Sequence, residues 1–78
     1  MKLFDRLTEK TNELFVEIRG RSTLLTEGYC QIQVYSPFEM VLGSQNGTIA
    51  VFGEELRLRH LSAERIAIDG RIDKVEFI

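Results

Sequence analysis

One cysteine, one histidine, one proline and no tryptophan occur in the 78 residues. A single Cys30 excludes an internal disulfide, and without a Cys/His cluster no cysteine-based zinc site can staple the fold. Only His60 could serve a Ser-His-Asp arrangement, and no serine has an evident base beside it. No glycine-rich phosphate loop precedes a helix, and no dinucleotide fingerprint occurs. Basic excess is also lacking. Ten Lys and Arg against twelve Asp and Glu, interspersed, leave a net charge of -2, which does not steer the chain toward nucleic acid or anionic lipid. Asp5, Arg6, Glu9 and Lys10 interrupt the start where a signal peptide would need an unbroken apolar run, and no stretch approaches the ~20 apolar residues of a membrane-spanning helix. These absences imply a non-enzymatic, cytoplasmic chain that needs no cofactor.

What is present is alternation. Ile49 and Val51, Leu56 and Leu58, Ile66, Ile68 and Ile72, then Val75 and Phe77 recur at every second position or close to it, the period of a half-buried strand. Arg57, Arg59, Arg71 and Glu76 fill alternate places, as on a sheet with one wet face. Tyr29 to Tyr35 alternates as well, with Cys30, Ile32 and Val34 on one side and Tyr29, Gln31, Gln33 and Tyr35 on the other. The second face suits contact with another protein, and an ordinary solvated strand face explains it just as well. The expected core is therefore Ile32, Val34, Ile49, Val51, Leu56, Leu58, Ile66, Ile68, Val75 and Phe77. Ile49-Ala50-Val51 followed by Gly53 recurs seventeen positions later as Ile66-Ala67-Ile68 followed by Gly70, and Ile32-Gln33-Val34 lies seventeen positions earlier. A reused strand-turn-strand unit or a β-solenoid coil accounts for such a period, and so does chance recurrence of β-branched residues.

Residues 1–15 lack proline and glycine and carry Leu3, Leu7 and Leu14 with Phe4 and Phe15 in one stripe, which predicts an amphipathic helix. Lys2 with Asp5, Arg6 with Glu9 and Lys10 with Glu13 support it at i, i+3 spacing. Ser36-Pro37 ends the Tyr29 to Tyr35 strand. Asn46-Gly47 supplies the two positive φ values of a type I′ turn, so residues 40–44 should pair with 48–52. Asp69-Gly70 is either a second hairpin or a bulge in a continuous strand. The fold class expected is mainly β: one domain, 1–78, with a helix over 1–15 and a β domain over 16–78. That domain is a small antiparallel sheet, or a solenoid-like stack, of about six short strands.

His60 shares parity with Leu56 and Leu58 and is expected toward the buried side, a packing rather than a catalytic histidine. Cys30 shares parity with Ile32 and Val34 and is expected buried and inert. Glu54 and Glu55 beside Gly53, and Asp69 and Asp73 around Gly70, are carboxylate pairs of the kind that hold metals, but turns usually carry such charge into solvent.

Gly53-x-x-Leu56-x-Leu58, then Leu61-x-x-Glu64-x-Ile66-x-Ile68-x-Gly70-x-Ile72-x-x-Val75-x-Phe77, resembles the C-terminal signature of the YabP/YqfC family of sporulation proteins, closest to the YqfC branch. The resemblance covers residues 18–78. It implies a non-catalytic structural or assembly module in the mother cell at the forespore envelope, peripheral to the membrane through a membrane protein partner. A 78-residue chain buries only about 60% of its unfolded surface, so self-association into a homo-oligomer is expected to complete the core. The alternative is a small Sm-like RNA-binding ring, whose helix-then-strands order the chain shares and whose phosphate contacts Arg57, Arg59, Arg65 and Arg71 could supply.

A β-branched residue at position 47 has to accept positive φ. Gly47→Val is expected to destabilise by about 1 kcal/mol or more, read as a lowered denaturation midpoint.

Overall fold

The computed structural model describes residues 14–45 and 47–78. Six strands form one antiparallel sheet: β1 (Phe15–Arg19), β2 (Thr23–Glu27), β3 (Gln31–Tyr35), β4 (Glu39–Ser44), β5 (Gly47–Leu61) and β6 (Arg65–Phe77). Their order across the sheet is β1-β2-β6-β5-β4-β3. Antiparallel pairing of every neighbour excludes the solenoid-like stack. The strands are not all short, since β5 has 15 residues and β6 has 13. Of the helix expected over 1–15, residues 1–13 lie outside the described residues. Phe15 opens β1 instead, and no described residue is helical.

The two long strands divide the sheet into halves. In one, β3 and β4 lie beside residues 47–52 of β5, which in turn pair with 74–77 of β6. In the other, β1 and β2 lie beside 65–69 of β6, which pair with 57–61 of β5. The halves repeat each other's register. Ile49, Ala50 and Val51 sit opposite Leu42, Val41 and Met40, while Ile66, Ala67 and Ile68 sit opposite Thr26, Leu25 and Leu24. The seventeen-residue recurrence thus marks equivalent strands in the two halves, and the match at Ile32 is coincidental because β3 corresponds to β1.

Each half presents one apolar face. Met40, Leu42, Ile49 and Val51 from one half, Leu24, Ile66 and Ile68 from the other, and Leu56 and Ile72 from the bend form a single buried cluster with Cys30. Burying a residue of this size contributes about 1.5 to 3 kcal/mol. Leu14 and Val16 of one half line the same cleft as Ile49 and Phe77 of the other, so the two faces meet. Thr26, the buried polar residue, keeps its Oγ1 3.7 Å from Cys30 Sγ, within hydrogen-bonding distance for sulfur.

At the bend, backbone meets backbone. A Cβ on Gly53 would overlap the Arg71 carbonyl oxygen, and one on Gly70, at φ +135°, would lie 2.5 Å from the Glu55 carbonyl oxygen. The loops before β4 and β2 cap this region in parallel ways. Gly53 N–H donates to the Phe38 carbonyl (3.0 Å) and Leu56 N–H to that of Pro37 (2.9 Å); Gly70 N–H donates to Ser22 (3.2 Å) and Ile72 N–H to Arg21 (2.7 Å). Asp69-Gly70 is therefore a continuous strand, with the extra residue on β5, where Glu55 takes φ +55°.

Three further bulges correct the sequence expectations. The pairing slips at Gln33, so Val34 stands opposite Val41 on the outer face and is 40% exposed instead of buried. The same slip separates Tyr35, opposite Met40, from Gln31, opposite Gly43, so the Tyr/Gln face does not exist as one surface. An extra residue at Arg59 reverses the parity of His60, which is exposed opposite Ala67 and not on the core side. A third lies at Asp73. Phe77 keeps core parity opposite Ile49 but sits at the sheet rim, 66% exposed; Ile32, Leu58 and Val75 are half-buried. In the β4–β5 hairpin Ser44 pairs with Gly47, so Gly47, at φ +144°, opens a strand and is not the second turn residue.

Left-handed backbone costs a non-glycine residue roughly 1 to 2 kcal/mol, whereas glycine brings an entropic penalty of about 0.5 to 1 kcal/mol. Glu55→Gly is accordingly expected to raise the thermal midpoint by relieving about 0.5 to 1 kcal/mol, and Glu55→Val to lower it by at least as much, both read by thermal unfolding.

Candidate interaction surface

A sheet that does not close leaves backbone N–H and C=O groups at its margins. Because β4 pairs only with 47–52 of β5 and β2 only with 65–69 of β6, unpaired margins occur among the described residues at four places: β1, β3, 57–61 of β5 and 73–77 of β6. Bulges and charges that disturb an edge hinder the addition of another strand. Gln33 bulges β3, Arg59 bulges the β5 margin, and Asp73 bulges the β6 margin. The last two also carry Arg57, Arg59, Asp73, Lys74 and Glu76. Against this, β1 pairs with β2 without interruption from Phe15 opposite Glu27 to Arg19 opposite Thr23. Its exposure is high at Phe15 (47%) and Ile18 (45%), which point to opposite faces.

The arginines considered for phosphate are mostly engaged. Arg59 Nε lies 2.9 Å from Asp69, Arg65 3.3 Å from Glu27, and Arg71 within 3.4 Å of both Glu54 and Asp73. The hydrogen bond from Arg71 to Asp73 and the attraction of Asp73 and Glu54 raise the Arg71 pKa above its usual value. Arg57 alone of the four has no ion pair among the described residues. Exposed pairs of this kind are worth about 0.2 to 1 kcal/mol, but together they neutralise a face that isolated arginines would have made basic. Their geometry comes from strand register, since Asp69 stands opposite Arg57 and next to the bulged Arg59.

The carboxylates Glu54, Glu55, Asp69 and Asp73 are thus divided among arginines and the bend, and no group of three or more metal-ligating side chains assembles among the described residues. His60 lines a cleft with Phe15, Leu25, Arg59, Arg65 and Ala67, and among the described residues it has no hydrogen bond to a carboxylate. Cys30 is buried as expected, with Thr26 its polar neighbour. No helix among the described residues is long and apolar enough to cross a membrane. The turn toward β propensity at Phe15 to Ile18, with Gly20 reversing the chain before Ser22 to Leu25, is legible in the sequence and is borne out as β1 and β2; what sequence reading did not find is that β1 lies at the edge of the sheet.

No curated protein matches the chain. Residues 10–78 match the model of the YabP family, which spans the whole described sheet, including both long strands and the Gly53 and Gly70 bend. The chain therefore belongs to the YabP family, a membership that suggests a sporulation-associated protein.

Proposed function

We propose that the chain is a non-catalytic assembly module of the sporulating mother cell that acts through protein–protein contacts at the forespore envelope, held there by a membrane protein partner. The family match over residues 10–78 carries this reading. Two features of the surface support it. The sheet leaves one regular edge strand with apolar residues on both of its faces, a form suited to receiving another strand. The side chains with catalytic potential are apart: Cys30 is buried in the core, His60 is on the outer face, and Glu54 and Asp73 at the bend are paired with Arg71. The Sm-like RNA reading is weakened because three of its four arginines, Arg59, Arg65 and Arg71, already face carboxylates.

In a spore-forming host, loss of the protein is expected to impair spore maturation while dividing cells grow normally; a growth defect in dividing cells, or hydrolase activity of the purified chain abolished by Glu or His substitution, overturns the proposal. In a gel-shift assay with poly(U) and poly(A) at low salt, no retardation is expected. A shift that weakens steeply with added salt would restore the RNA reading.

A further inference from the structure

Among the described residues four margins of the sheet pair with no further strand, and three of them are bulged. The fourth, β1, is regular over its five residues, with Glu17 and Arg19 exposed on the outer face and 2.9 Å apart. Ile18 lies between them on the core-side face, where it stands opposite Leu24 yet remains 45% exposed. We propose that β1 is the self-association edge of this protein, pairing antiparallel with β1 of a second copy about a two-fold axis at Ile18, so that Glu17 of each copy faces Arg19 of the other. The inference rests on the assembly reading above and names the occupant of its surface.

Charge selects this register. A two-fold pairing of identical antiparallel strands sets each residue i against a residue j whose numbers add to a constant, and side chains directly opposite share a face. Centring the pair on Glu17 sets two carboxylates against each other. Centring it on Val16 sets Glu17 against Phe15 and carries Arg19 past the first residue of β1. Centring it on Ile18 pairs residues 17–19 of the two copies, with Val16 and Phe15 opposite Gly20 and Arg21 of the turn, and places two opposite-charge pairs on the outer face and Ile18 against its own copy on the core side. In that register the exposed isoleucine extends the buried cluster from one copy to the next, and the two six-stranded sheets become continuous. The unbulged edge, the exposed Ile18 and the spacing of Glu17 and Arg19 are separate observations that agree on a second copy as the occupant. An unrelated partner strand would have no reason to match a pair that is complementary to itself.

Charge reversal tests it on the full chain. Sedimentation equilibrium of the unaltered protein should give twice the 9.0 kDa chain mass. Glu17→Arg and Arg19→Glu each set like charges opposite at two symmetric places, and each should raise the dimer dissociation constant about tenfold or more. The double reversal E17R/R19E recreates both pairs and should restore the original constant to within about threefold. In a Cys30→Ser background, Ile18→Cys should form a cross-linked dimer on mild oxidation, because position 18 opposes itself; unchanged circular dichroism confirms that each variant is folded. A monomer at all concentrations, a dimer indifferent to both single reversals, a double reversal that stays dissociated, or Ile18→Cys that does not cross-link overturns the pairing. Those failures leave the assembly reading standing if loss of the protein still blocks spore maturation. That reading falls on a growth defect in dividing cells or on hydrolase activity of the purified chain.

Discussion

At Gly53 the β5 backbone approaches the Arg71 carbonyl so closely that no side chain fits between them, and at Gly70 the same holds against Glu55. These two contacts let a pair of long strands turn together instead of continuing flat. Once they turn, the apolar faces of the two halves can meet, and one buried cluster serves both. The loops at Ser22 and Phe38 close over the bend through equivalent backbone hydrogen bonds, so the paired glycines, the capping loops and the flanking strands form one repeated arrangement. The strain that remains is confined to Glu55, the one described non-glycine residue at positive φ.

Bulges do two things here at once. An extra residue reverses the parity of its successors along the strand, which sends Val34 and His60 outward although their spacing places them with the core. It also disturbs the edge on which it sits, and three of the four open margins carry one. A small open sheet in water is exposed to uncontrolled strand addition, and bulges are a recognised protection. The absence of a bulge in β1 is therefore informative, because the other margins show that this chain readily accommodates them.

Electrostatics obeys the same geometry. Arginines and carboxylates occur together on β2, β5 and β6, and the register brings them opposite or next to each other at Arg59 and Asp69, Arg65 and Glu27, and Arg71 with Glu54 and Asp73. Each pair is exposed and modest in energy. Their sum is a surface of mixed sign that offers a polyanion no continuous track. Such a surface suits contact with proteins, where short-range complementarity and shape decide affinity more than net charge.

Period-two alternation was enough to determine from the sequence alone that the chain is β-rich, that Ile49, Val51, Leu56, Ile66 and Ile68 are buried, and that Cys30 is a packing residue. Each of these depends only on neighbours along the strand. The seventeen-residue recurrence was visible too, and it marked strands that occupy equivalent places. Tertiary structure alone decided where parity breaks, because a bulge depends on how many residues the partner strand supplies. It decided the role of Gly53, whose constraint is the Arg71 carbonyl eighteen residues away. The β1 edge was equally hidden: whether a strand is central or marginal is set by the order of strands in the sheet, and no local pattern encodes that order.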